Sequence, residues 1–110
     1  MLRDDGVRRP SVNRAYYATY AAVVARLHAQ GVDTFGDRSN PSHAELPSLI
    51  RRTVSGVSAD HRRNVSKLVR RLRVLREIAD YRPGMTLADA DRTEALRSMI
   101  VVQSLMGVPA

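Results

Sequence analysis

A chain of 110 residues, 44% of them apolar, has material for one hydrophobic core and no room for a second, so a single domain over 1–110 is expected. Eighteen Lys and Arg against eleven Asp and Glu leave a net charge of +7, which favours a polyanionic or acidic partner. The lack of cysteine excludes disulfides, Cys-ligated zinc and thiol catalysis, and no apolar run approaches the ~20 residues that cross a membrane.

The first predicted helix runs from about Ser11 to Gln30, with Ser11 as N-cap and Gly31 as the stop. Ala15, Ala18, Ala22 and Ala25 recur at spacings of three and four, giving a face that lets a neighbouring backbone approach. Val12, Tyr16, Thr19, Val23 and Leu27 form a second, bulkier stripe, so this helix is expected at the centre of a bundle. Residues Val32 to Asn40 read as a loop. Ser42 and Glu45 are spaced as a capping box for a short helix, and Pro47 inside it predicts an irregular element. A second loop covers Thr53 to Ala59.

The third helix, about Asp60 to Tyr81, carries a seam of Val65, Leu68, Leu72, Leu75 and Ala79. Arg82-Pro83-Gly84 is expected to end it, and Thr86 with Asp89 to cap a fourth helix that closes apolar from Met99 to Met106. No strand pattern is present. The composition, low in aromatics and rich in Ala, Val, Leu and Ile, suits an all-α bundle of about four antiparallel helices, and a core this small often gains from a second subunit.

Two clusters stand out from a generic bundle. One is Asn13-Arg14-Ala15-Tyr16-Tyr17-Ala18, and the other Leu75-Arg76-Glu77-Ile78-Ala79-Asp80-Tyr81. At about 100° per residue, Arg76 falls roughly 40–50° from the seam's centre, with Asp80 one turn further on the same flank. A charge at the margin of a buried seam needs a partner, which Asp80 supplies. Two readings stay open: the pair ties this helix to the Tyr-bearing helix, or Arg76 lines a cleft where its planar fork meets a phosphate or ribose hydroxyl.

Arg62, Arg63, Lys67, Arg70, Arg71 and Arg73 crowd the same helix, with Arg63, Lys67, Arg70 and Arg71 facing away from the seam. They form either a solvated face or a phosphate-backbone track, and no aromatic residue is interleaved for base stacking. His28, His43 and His61 show no metal-like spacing, so no metal or other cofactor is expected. His43, in the first turn of the short helix, is a candidate acid or base. The N-terminus has no apolar leader, and a cytoplasmic location is the expectation.

The string Ser11-Val12-Asn13-Arg14-Ala15-Tyr16-Tyr17-Ala18, followed some sixty residues on by Arg76-Glu77-Ile78-Ala79-Asp80-Tyr81, resembles the HEPN superfamily, in the branch marked by "RAYYA" and "R-x-x-A-D-Y". The likeness runs from about Leu2 to Met106, and His43 stands where that branch carries a His before its short middle helix. The resemblance implies a dimeric helical bundle with a polar cleft at the dimer interface. It implies a bacterial toxin–antitoxin or defence role, RNA as ligand, and a cognate nucleotidyltransferase antitoxin as partner. Metal-independent cleavage of RNA is the reaction it implies, with Arg76 as the motif Arg, beside Asp80 and Arg14, and with Tyr81 in the place of the motif His. Tyrosine titrates near ~10 and is a poor general base at neutral pH. The alternative is a non-catalytic helical module that docks a nucleotidyltransferase or another partner. Relatives also carry a full helix before "RAYYA", which is expected to be truncated here, with a second subunit covering the gap.

Overall fold

A computed structural model describes the backbone of residues 2–32, 41–81 and 87–107, and their side chains apart from residues 2–8 and Tyr81. Among the described residues it is an all-α bundle of four helices: α1 (Leu2–Ala29), α2 (Leu46–Thr53), α3 (Ala59–Tyr81) and α4 (Asp89–Met106). None of these is long and apolar enough to cross a membrane.

The first helix departs from the sequence reading at its start. Residues from Leu2 onward continue α1, so no separate helix precedes it among the described residues, and Ser11 lies inside the helix rather than capping it. Pro10 stands on the exposed face, where water can serve the carbonyl four residues earlier that proline cannot reach. Ser11 is buried, and its hydroxyl accepts from Arg92 Nε of α4 at 3.4 Å. At the other end the expectation holds. Gly31 adopts a φ of +77°, Gly31 N donates to His28 O at 3.0 Å and Val32 N to Leu27 O at 2.9 Å, so a left-handed glycine closes the helix.

Contacts along the chain set the helix directions. Arg9 of α1 reaches Ile78 and Ala79 near the end of α3, whereas Arg26 and Gln30, at the other end of α1, bond Ser55 in the turn that leads into α3, so α1 and α3 run antiparallel. Ser11 meets Arg92, and Arg26 meets Gly107, so α1 and α4 run the same way, both against α3. The short α2 packs on α3.

The bulky stripe of α1 is buried throughout: Val12, Tyr16, Thr19, Val23 and Leu27. Of its small-residue face only Ala15 is buried, and Ala25 is exposed. On α3 Val65, Leu72, Leu75 and Ala79 are buried as the seam predicts, Leu68 is half-buried, and Val69 joins them. Two apolar clusters result. One gathers Val23, Leu27, Leu46, Ile50, Val65, Val69, Val102 and Met106; the other holds Val12, Tyr16, Leu72, Leu75, Leu87 and Ala95, and Tyr20 packs against both.

The capping box is present as reciprocal bonds: Ser42 N donates to Glu45 Oε1 at 2.6 Å, and Glu45 N to Ser42 Oγ at 3.3 Å. It closes a turn, and α2 begins one residue later at Leu46. Pro47 therefore sits in the first helical turn, where its missing N–H costs nothing, and the irregularity expected from it does not arise. The α4 cap is the backbone N–H of Ala88 donating to Asp91 Oδ2 at 2.9 Å. Thr86, the Arg82-Pro83-Gly84 stop and the 33–40 part of the first loop lie outside the described residues.

Candidate functional site

The α1 periodicity that buries Tyr16 necessarily turns Tyr17 toward the helix flank and puts Tyr20, four residues on, above Tyr16. Tyr16 is fully buried and Tyr17 is 43% exposed. Into this three-tyrosine face comes His43 from the turn before α2. Its ring stacks on Tyr20 (centroids 4.5 Å, 26°), lies tilted against Tyr16 at 5.4 Å and meets Tyr17 edge-on at 6.1 Å. The Tyr20 hydroxyl donates to Pro41 O at 2.7 Å, fastening the same segment.

Arg76 approaches from α3. Its Nη2 donates to the Tyr17 hydroxyl at 2.8 Å, and its Nε faces Asp80 Oδ2 at 3.2 Å. The guanidinium carbon lies 5.5 Å from the Tyr16 ring centre and 5.2 Å from that of Tyr17. Its side chain is 13% exposed, so the pair with Asp80 and the two rings hold a largely desolvated cation in one orientation.

Electrostatics follow from this packing. Burial pushes the Tyr16 hydroxyl up to about 12, against the opposing pull of Arg73 and Arg76, so it stays protonated at neutral pH. A buried hydroxyl proton needs an acceptor, and Nδ1 of His43 is in contact with it. His43 is itself held below its ordinary value, first by burial and then by Arg76 and Arg73. The ring is thus neutral, with Nδ1 accepting the hydrogen bond that the Tyr16 hydroxyl donates and the ring's own proton on Nε2.

Beside this cluster α3 and the entrance of α2 enclose an open groove of about 310 Å³, lined by Ala44, Pro47, Arg70, Arg73, Val74 and Glu77. Arg73 belongs to both places, since its charge reaches Tyr16 and His43. Its Nε lies 3.3 Å from Glu77 Oε1 as an ion pair, without the alignment of a hydrogen bond.

The cations read from the sequence therefore divide. Lys67 and Arg70 are exposed and make no ion pair among the described residues. Arg63 is bound to Asp60. Arg71 pairs with Glu94 at 2.9 Å and lies 3.9 Å from Asp91, and the bond to Glu94 chiefly pushes its pKa up. Arg14 is exposed on α1 and forms no hydrogen bond or ion pair among the described residues. Arg76, Asp80, Tyr16, Tyr17 and His43 are brought together, whereas Arg63 and Arg71 stand elsewhere with acids of their own. The Tyr81 side chain lies outside the described residues.

Two contributors, Tyr20 and Arg9, escaped the sequence reading, and so did the pairing of Glu77 with Arg73. Tyr20 could have been found, being one turn from Tyr16 on the same stripe. Glu77, four residues from Arg73, had the spacing of an ion pair. Arg9, whose Nη1 serves the Ile78 and Ala79 carbonyls at 3.0 and 2.8 Å and so caps the end of α3, carried no local signal.

Comparison with models of known families, with curated proteins and with solved structures finds no match.

Proposed function

We propose that this chain is a HEPN-type protein of a bacterial toxin–antitoxin or defence system that binds RNA, with Arg76 as the group that meets a backbone phosphate. The supporting observation is the Arg76 guanidinium itself, anchored by Asp80 and Tyr17 over two tyrosine rings beside a groove carrying Arg70 and Arg73. Orienting a planar cation in advance lowers the cost of ordering it on a ligand.

His43 is the group in this cluster that can move a proton at neutral pH. In the metal-independent cleavage that the resemblance implies, it is the acid–base candidate, and Tyr16 orients it through Nδ1. The homodimer and the cytoplasmic location belong to the same reading.

Arg76→Ala should weaken binding of single-stranded RNA by roughly tenfold or more, as loss of a charge-assisted contact does. Expressed in a bacterial host, it should also remove any growth arrest and RNA breakdown caused by the parent chain. Unchanged affinity and unchanged toxicity would take Arg76 out of the function.

A second reading, a non-catalytic module that docks a nucleotidyltransferase, draws on α4. Ile100 and Val101 there are 61% and 39% exposed, which is the kind of surface a partner covers. Co-purification with a neighbouring gene product, with no RNA cleavage by the isolated chain, would favour it.

A further inference from the structure

The groove between α3 and the α2 entrance has a more particular chemistry than a basic track. Arg70, Arg73, Val74 and Glu77 recur at three and four residues, so they form one stripe along α3, faced by Ala44 and Pro47. Val74 is 46% exposed although every other large aliphatic side chain of α3 is at least partly covered by its neighbours, and with Pro47 it forms an apolar floor. At one end stands Arg70, without an acidic partner among the described residues, and Lys67 lies one turn before it. At the other end the Arg73–Glu77 pair sets a guanidinium beside a carboxylate, with side chains 38% and 42% exposed. The volume, about 310 Å³, lies at the small end of ligand sites and suits one ligand unit rather than a long segment.

We infer that this groove is a single-nucleotide subsite selective for guanine, with the 5′ phosphate on Arg70, the base over Val74 and Pro47, and its Watson–Crick edge on Arg73 and Glu77. Seven residues separate Arg70 from Glu77, about 10 Å of helix, which matches the reach of a nucleotide from phosphate to base edge. The order of groups on that edge decides the base. Guanine presents one acceptor, O6, followed by two donors, N1–H and N2–H. A guanidinium next to a carboxylate offers the complementary donor and paired acceptors. Cytosine and uracil carry the acceptor O2 where guanine has its N2 amine, and adenine has the acceptor N1 beside a bare C2–H, so none of the three offers the carboxylate two adjacent donors. The floor is aliphatic, so affinity comes from the two polar ends and base stacking on an aromatic ring plays no part.

This inference rests on the RNA-binding reading for its biological meaning, but the groove can be tested alone. The full chain is titrated with each of the four nucleoside 5′-monophosphates, and with hexaglutamate, while backbone amide shifts are followed by NMR. The expected result is that guanosine monophosphate shifts residues 44–47 and 70–77 and binds about tenfold tighter than the other three. Glu77→Gln, which keeps the side chain's size, should erase that preference while Arg70→Ala weakens all four nucleotides alike.

Equal binding of the four nucleotides, or shifts confined to other faces, would overturn the guanine subsite. So would hexaglutamate moving the same residues while the nucleotides do not, because the groove would then receive an acidic peptide. Set beside the RNA titration of the Arg76→Ala variant, this experiment separates the two proposals. RNA binding that depends on Arg76 but shows no guanine preference defeats only the subsite. Guanosine monophosphate binding without RNA binding defeats only the broader function.

Discussion

His43 is a histidine whose role depends on five neighbours: Tyr16, Tyr17 and Tyr20 of α1, and Arg73 and Arg76 of α3, with Glu77 and Asp80 pairing those arginines. Burial and the two cations keep it neutral, so its folded value lies below the 6.5 of a free imidazole. The unfolded chain therefore binds more protons in acid, and stability should be full above pH ~6.5 and fall below it. Thermal unfolding between pH 5 and 8 should show this slope in the parent and a flatter one in His43→Gln. Tyr16 acts at the opposite end of the scale. Its hydroxyl is pushed up to about 12 from 10, so the stability it contributes is intact below pH ~10 and is lost as pH rises through about 12. Tyr16→Phe should remove that alkaline loss while costing about 1 kcal/mol at neutral pH for the missing bond to His43.

At the scale of elements, helix ends carry most of the instruction. Gly31 and Gly56 share a φ of +77°, yet their surroundings differ. A side chain at Gly31 meets nothing within 4 Å, so Gly31→Ala should cost only the left-handed strain, about 1 kcal/mol. A Cβ at Gly56 would stand 3.0 Å from Arg26 Nη2, and that guanidinium already serves Ser55 O at 2.6 Å and Gly107 O at 3.1 Å. Gly56→Ala should therefore be the more destabilising of the two by urea unfolding, because it also disturbs the tie between α1, the α2–α3 turn and the end of α4. The reciprocal bonds of Ser42 and Glu45 hold the turn that carries His43. Ser42→Ala should cost about 1 kcal/mol and loosen the histidine, read as broadened His43 ring signals.

For the whole molecule, a net charge of +7 states that an anionic partner is favoured but not where it lies. The ion pairs show which cations are already engaged, and on the proposed RNA-binding reading the others are the ones to test. Arg63 and Arg71 are engaged by Asp60 and Glu94, whereas Lys67 and Arg70 have no acid partner among the described residues. Lys67→Ala and Arg70→Ala should each lower the salt slope of RNA binding by about 0.7, one phosphate on a single strand, and Arg63→Ala should leave it unchanged. Much of the architecture was legible in the chain alone. The stripe Val12, Tyr16, Thr19, Val23 and Leu27, the seam of α3 and the stop at Gly31 are periodic or local signals, because a helix repeats every 3.6 residues and a left-handed turn wants glycine. The start of α1 was not legible, since a serine after a proline is a sound local cap and only the neighbouring helices make the continued helix worthwhile. Likewise Arg76 with Asp80 is a spacing, but the meeting of Arg76 with Tyr17, of His43 with Tyr16, and of Arg73 with the groove joins residues 27 to 59 positions apart or on different helices. Sequence by itself determined which faces must be buried. Tertiary packing decided which polar groups those buried faces bring together, because desolvation and pairing act through space and leave no period in the chain.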